Sequence, residues 1–397
     1  MITTINNKHK KLNVPNLRFP EFQGEWEEER LSDIADLYKG TGISKDQLSE
    51  EGEPCILYGE LYTKYKSETI EKVISKTNID NTKLVRSKAN DVIIPCSGET
   101  AEDIATARCV LNGNILLGGD LNIIRLHGYD GTFMSYQLNG KRKYDIAKVA
   151  QGVSVVHLYG EHLKGVKTIN PCLTEQKKIA SLLTLLDERI AIQNKIIEDL
   201  KKLKCAIIEK VYSEIQGKEY SYGQLFDVVN ERNKQMEYSN ILSASQEKGM
   251  VNRDDLNLDI QFERSNINTY KIVKKGDYVI HLRSFQGGFA FSDKLGVCSP
   301  AYTILRPNNL LEYGYLSNYF TSQRFIKSLI IVTYGIRDGR SINVDEWFSM
   351  KITIPSKEHQ QYIVKVIGSF ERKIEKEEAY ATQLSIQKQY LLRQMFI

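Results

Sequence analysis

The sequence of 397 residues repeats itself, with a period of about half the chain. Five landmarks recur in the same order. Leu31-Ser-Asp33-Ile34 is echoed by Leu225-Phe-Asp227-Val228, and Asp91-Val-Ile-Ile94 by Asp277-Tyr-Val-Ile280. Asn122-Ile-Ile-Arg125 matches Thr303-Ile-Leu-Arg306, and Gln151-Gly152-Val153 matches Tyr334-Gly335-Ile336. Ile169-Asn-Pro171 with Glu175-Gln176 matches Ile354-Pro355 with His359-Gln360, and from there the halves run in parallel without a gap. Chance similarity among strand-like runs does not produce a shared order. A duplicated unit is the simplest reading, and the fold must use that unit twice.

Each unit has two parts. The first contains short β-branched and aromatic runs, such as Val92-Ile-Ile94 and Tyr302-Thr-Ile-Leu305, between Gly, Asn, Asp and Ser. These read as strands of a mixed α/β domain, with helical stretches over 132–149 and 312–332. The second part is free of proline and rich in Leu, Ile, Lys, Glu and Gln over 174–212 and 358–396. That composition predicts a helix of about 58 Å in each half. The expected organisation is α+β. A flexible tail (1–15) precedes a first mixed α/β domain (16–172), a first long helix (173–215), a second such domain (216–356) and a second long helix (357–397).

The helices carry apolar residues at alternating steps of four and three, the coiled-coil spacing. The first stripe is Ile179, Leu183, Leu186, Ile190, Gln193, Ile197, Leu200, Lys204, Ile207, Val211. The second is Ile363, Ile367, Phe370, Ile374, Glu377, Ala381, Leu384, Lys388, Leu391, Met395, with its two polar layers at repeat-related places. Antiparallel packing within one chain would match Lys204 with Glu377 and Gln193 with Lys388. A slip of one heptad would set Gln193 and Glu377 against apolar groups, which is costly for buried polar atoms. The alternative is that both lysines snorkel to solvent and specify no register. Antiparallel helices would carry twin domains to opposite ends, an arrangement suited to two half-sites on duplex DNA.

Several chemistries lack their residues. There is no GxxxxGK[ST] loop, no GxGxxG after a strand, no [DN]PP[YFW] run, no GxSxG and no HExxH. His9, His127, His157, His162, His281 and His359 are scattered, and Glu99, Glu102 and Asp103 read as a solvated acidic loop, so neither a metal site nor a catalytic residue is expected. The six cysteines form no CxxC pair and read as reduced thiols. No apolar run reaches a membrane-spanning length, the N-terminus has no hydrophobic signal region, and a cytoplasmic location without a membrane partner is expected. The mild excess of charge, +4, permits a polyanionic partner. A binding and assembly protein fits this inventory. A coiled-coil adaptor tethering two protein ligands is the reading of another class, and a stand-alone nuclease is a third.

Asn16-Leu-Arg-Phe-Pro20-Glu-Phe-Gln-Gly-Glu-Trp26, followed by Leu31-Ser-Asp-Ile-Ala35, resembles the start of a specificity subunit of type I restriction-modification enzymes. Pro171-Cys-Leu-Thr-Glu-Gln-Lys-Lys-Ile-Ala180 and Pro355-Ser-Lys-Glu-His-Gln-Gln-Tyr-Ile363 resemble the family's entry into its helices. The resemblance covers the whole chain, although no tryptophan matches Trp26 in the second half, where Tyr220 or Tyr222 falls nearby. It implies two target-recognition domains, each reading half of a split DNA site. It implies helices that set the spacer and dock two methyltransferase subunits, with two restriction subunits joining them. S-adenosylmethionine, ATP and Mg would reside on those partners, none on this chain, and an adenine would be flipped for N6 methylation.

Candidate readers of DNA are polar or basic residues on loops after strands. In the first domain these are Ser97, the basic step Lys141-Arg142-Lys143, and Ser154 and His157 on a repeat-matched loop. In the second they are Arg283, Ser284, Gln286, Arg324, Arg337 and Arg340. Arg283, Gln286, Arg337 and Arg340 stand out, because Arg reads guanine and Gln reads adenine bidentately. Lys64 and Lys66, beside Tyr62 and Tyr65, are candidates for tracking the backbone.

Overall fold

The computed structural model describes residues 13–80, 83–152, 155–245, 248–255, 264–281, 288–334 and 341–397. The expected tail therefore lies outside the described residues as far as residue 12. Asn13 is held, its carbonyl accepting the Trp26 N–H at 2.8 Å. The chain divides into two compact units, residues 1–194 with 379–397, and residues 195–378. Each contains one α/β domain and a stretch of both long helices, Leu173–Ser213 and Lys357–Met395.

The two domains are built on one frame. In the first, Ala35–Lys39, Leu121–Leu126, Asp91–Pro95 and Arg108–Val110 lie side by side in that order. In the second, Phe226–Val229, Thr303–Pro307, Tyr278–Ile280 and Phe289–Phe291 repeat the order, again antiparallel throughout. The registers correspond as well. Asn122 pairs with Ile94 and Ile124 with Val92, as Thr303 pairs with Ile280 and Leu305 with Tyr278. A separate antiparallel pair closes each domain, Glu27–Arg30 with Lys167–Asn170 and Lys218–Ser221 with Lys351–Ile354.

Repeat-matched side chains do the same work in both halves. Asp91 is buried and accepts a bidentate pair from Arg125 at 2.9 and 2.8 Å; Asp277 accepts the same pair from Arg306 at 2.9 Å each. Each carboxylate also accepts a main-chain N–H three residues back, from Lys88 and Lys274. Gln176 donates to the Pro171 carbonyl and accepts the Asp130 N–H. Gln360 likewise donates to Pro355 and accepts the Glu312 N–H. These amides tie the first turn of each long helix to its own domain.

Three details differ from the sequence expectation. Leu31 does not correspond to Leu225. The N–H of Leu31 bonds to Val166 as that of Tyr222 bonds to Met350, and the carbonyls of Ile34 and Leu225 accept from His127 and Asn308. The two Leu-x-Asp steps are thus three residues out of phase, and Asp227 stands where Asp36 does. Residues 313–321 are turns, with an α-helix over Gln323–Ser328 followed by a 3-10 turn over Leu329–Val332. Gly314 adopts φ +73°, and Ser322 restarts the chain as an N-cap on Phe325 N–H. Trp26 has no aromatic counterpart because Gly217, just before the matching strand, passes against the Ile354 carbonyl with no room for a Cβ. Tyr222 instead stacks on Trp347 at 4.3 Å, in the aromatic core of the second unit.

The long helices run antiparallel in each unit, but not in the matched register. Lys204 bonds Glu371 at 3.2 Å, and Lys201 bonds Glu378 at 2.6 Å. Lys388 bonds Asp187 at 2.6 Å, and Glu377 is paired with Lys373 one turn away. Ile179 and Leu183 share a core with Leu391 and Met395, and Ile208 and Tyr212 with Ile363 and Ile367. The partners are shifted by about one heptad along the second helix. The reason is the reach of lysine: its long stem leaves the seam and finds a carboxylate flanking it, so the polar layers need not face one another.

Candidate nucleic-acid interface

In the first domain the Asp91–Pro95 strand, locked at its start by Arg125, runs into Cys96, whose carbonyl accepts the Leu158 N–H at 2.8 Å. Ser97–Gly98 then pairs antiparallel with Val156–His157. This joins two candidates 60 residues apart, with Ser97 Oγ 3.4 Å from His157 Nδ1. The loop is closed at its base by paired main-chain bonds between Gln151 and His157, at 2.8 and 2.7 Å. Side chains alternate along this ribbon: Val156 and Leu158 are buried, while Val155 and Tyr159 are 52% and 53% exposed. His157 shares the outward set and lies beside Tyr159, ring centroids 6.2 Å apart at 23°. The sequence expectation does not include Tyr159, although the in-and-out alternation from Val155 to Tyr159 carries its signal. Ser97 is buried, at 9% exposure, so the ribbon presents the His157 imidazole and the Tyr159 ring rather than the serine hydroxyl; a two-stranded ribbon is of a size to enter a DNA major groove.

The neighbouring acidic loop behaves as expected of a solvated one. Thr100 caps the helix Ala101–Ile104 by accepting from Asp103 N–H and donating to its carboxylate. Among the described residues no group of His, Cys, Asp and Glu has the arrangement of a metal site. None of their helices is long and apolar enough to cross a membrane.

The basic step is split by the structure. Lys141 is exposed and Lys143 opens the helix Lys143–Val149. Arg142 turns inward, donating to the Ile397 main-chain oxygen at 3.1 Å and pairing weakly with Asp145 at 3.5 Å. Its fork is a structural tie, so the step offers two cations rather than three. Lys64 is also committed, bonded to the buried Glu60 at 2.6 Å and to Ser75 at 3.0 Å, and Tyr65 is buried.

In the second domain Arg324 is exposed at the start of its short helix, where its N–H reaches Glu209 at 3.3 Å. Ser154, Arg283, Ser284, Gln286, Arg337 and Arg340 lie outside the described residues. The residues flanking them are in place. His281 N–H donates to the Gly288 carbonyl at 2.7 Å, and Thr333–Tyr334 pairs antiparallel with Ser341–Ile342. Burial pushes the His281 imidazole below its ordinary pKa, favouring the neutral ring.

Residues 23–202 and 217–384 each match the type I restriction modification DNA specificity domain. A specificity subunit of the type I restriction enzyme MjaVIII from Methanocaldococcus jannaschii is 27% identical over 198 residues. That alignment spans 50% of this chain and 43% of the relative, so less than half the relative's length is covered. Among solved structures, a type I restriction-modification S subunit from M. genitalium aligns over 97% of this chain and 99% of its own, with 16% identity and a TM-score of 0.58. A chain from a study of complex assembly and conformational transition in the type I R-M system aligns over 98% and 99%, with 14% identity and a TM-score of 0.58. These two likenesses show a shared fold.

Proposed function

The chain belongs to the type I restriction-modification DNA specificity family, and from that premise we propose that it is the non-catalytic subunit that selects the DNA sequence. Each recognition domain reads one half of a bipartite site, and the antiparallel helices set the spacer. Two methyltransferase subunits dock on the helices and methylate adenine N6, and two restriction subunits join for cleavage. S-adenosylmethionine, ATP and Mg belong to those partners, and the complex works in the cytoplasm.

One observation carries the reading: a shared frame with divergent insertions. Asp91–Arg125 and Asp277–Arg306 hold equivalent strands. Between the outer strand and that Asp, the first domain inserts Leu48–Ser49, Glu53–Ile56 and Ser75–Thr77, which form a four-stranded sheet with the later Leu116–Leu117, and the second inserts the hairpin Leu242–Ser245 with Gly249–Asn252. A common scaffold with different reading parts is what an asymmetric site requires. In this reading His157, held beside the buried Ser97, and Tyr159 face bases, and Lys141 and Lys143 face phosphates. Ser154 serves the first half-site with them, and Arg324, Arg283, Ser284, Gln286, Arg337 and Arg340 serve the second.

Methylome sequencing of a host expressing this chain with its methyltransferase tests the proposal. The expected result is methylated adenine in one asymmetric split sequence of fixed spacer. A coiled-coil adaptor would leave the methylome unchanged. Binding of the complex to duplex DNA should also weaken steeply with salt, about one unit of log–log slope for each phosphate contacted.

A further inference from the structure

Lys388 and Lys204 stand at repeat-related positions, and so do their partners Asp187 and Glu371. The two ion pairs differ in what else reaches them. Among the described residues, the Lys204 pair stays within the long helices, with side chains 25% and 41% exposed. Lys388 is 17% exposed and, besides Asp187, takes Glu68 of the first domain at 3.0 Å. The Tyr136 hydroxyl donates to the second Asp187 oxygen at 2.6 Å, and the Lys388 ammonium lies 5.4 Å from the centre of the Tyr136 ring. Burial, then the charge of Asp187, push the Tyr136 hydroxyl far above its ordinary range, so it remains a donor.

Glu68 leads directly into the reading ribbon. Its carbonyl accepts the Cys109 N–H at 2.8 Å. The next residues, Thr69–Ile70, pair in parallel with Cys109–Val110. That strand pairs with Asp91–Ile93, whose strand ends at Pro95, and Cys96 alone links it to Ser97. Each step is a main-chain ladder, stiff enough to pass on a tilt at its root.

We propose that Lys388, acting through Glu68, is a positioning residue for the first recognition domain, setting how that domain is seated on the helices and hence how well the first half-site fits. Lys204 serves helix register alone. The inference rests on the DNA-reading function proposed above. Two carboxylates surround one ammonium, so loss of Glu68 leaves Lys388 compensated by Asp187. The register survives while the link to the domain is lost.

The test uses the full chain in complex with its methyltransferase, comparing wild type with Glu68→Gln, Lys388→Met, Lys388→Arg and Lys204→Met by methylome sequencing. The readout is methylation at near-cognate sites mismatched in the first half or in the second. Glu68→Gln and Lys388→Met should raise methylation of first-half mismatches about tenfold relative to the cognate site, the scale of one weakened base contact. Second-half discrimination should hold. Lys388→Arg should stay near wild type, and Lys204→Met should move neither half. Should Lys388→Met accumulate poorly, Glu68→Gln, which keeps the Asp187 pair, decides alone. Equal relaxation of both halves, or none in Glu68→Gln, overturns the positioning role. A wild-type chain that methylates no split site overturns the DNA-reading function instead.

Discussion

The opening Asn16-Leu-Arg-Phe-Pro20 segment is a clasp, and Arg18→Ala is the perturbation that exposes it. The Arg18 guanidinium bonds both Glu175 oxygens at 2.8 Å, and donates to the carbonyls of Gly24 at 2.6 Å and Gln23 at 3.1 Å. The hydrogen bond to Glu175 holds the guanidinium above its ordinary pKa. One residue earlier, Leu17 N–H bonds the Gln394 carbonyl, so the segment joins the start of one long helix to the end of the other. The Glu175 side chain is fully buried and that of Arg18 is 13% exposed. Removing the arginine leaves a buried carboxylate without a counter-charge, which costs about 3–5 kcal/mol. Glu175→Ala leaves a partly wetted guanidinium with two carbonyl partners and should cost about half as much, near 1.5–3 kcal/mol. The double variant should cost less than the two summed. Each unit holds one tryptophan, Trp26 in the first and Trp347 in the second. Thermal melting followed by Trp26 emission in a Trp347→Phe background therefore reports the first unit. Arg18→Ala should lower that transition by about 10 °C, taking about 2–4 °C per kcal/mol for a unit of this size. A shift under about 2 °C, or a larger one from Glu175→Ala, would refute the clasp.

Other outcomes follow from the same geometry. Asp91→Ala should destabilise the first unit by about 3 kcal/mol, read by Trp26 emission. Asp277→Ala should cost the second unit less, because Arg306 keeps Glu231 at 2.9 Å, and equal losses would contradict the partner assignment. Glu231 is held below the ordinary carboxylate range by hydrogen bonds from Lys274 and then Arg306. Its stabilisation is present above the ordinary pKa of 4.5 and is lost as pH falls through the lowered folded value, so Glu231→Gln should flatten the acid limb of stability followed at Trp347. In the folded chain a soluble disulfide reagent should label Cys172 and Cys205 quickly and the other four slowly. Burial pushes the Cys55 thiol up to about 11 and those of Cys96, Cys109 and Cys298 up to about 12; labelling of all six at one rate would show those sites open.

Much of the frame was legible because it rests on local pattern. Short β-branched and aromatic runs mark the strands beside Asp91 and Asp277, and a proline-free heptad marks the helices. Less of the candidate site was legible. Ser97 and His157 meet, but Arg142 turns inward to a main-chain oxygen 255 residues away, a contact that no local spacing encodes. Tyr159 reads as an ordinary loop aromatic until Val156 and Leu158 are seen to be buried beneath it. A Leu-x-Asp step recurs by coincidence at Leu31 and Leu225, three residues out of phase, whereas hydrogen-bond partners identify Tyr222 as the equivalent of Leu31.

By itself the sequence determined that one unit is used twice and that each copy ends in a helix about eleven turns long. Order of landmarks, apolar spacing and the absence of proline are properties of local stretches, readable without knowing any distant contact. Tertiary structure alone decided the helix register and the use of the charged layers. A lysine side chain spans about 6 Å from its Cα, so it can choose among carboxylates on neighbouring turns. The choice at Lys388 is made jointly by Asp187 on a helix and Glu68, 320 residues away on a domain loop.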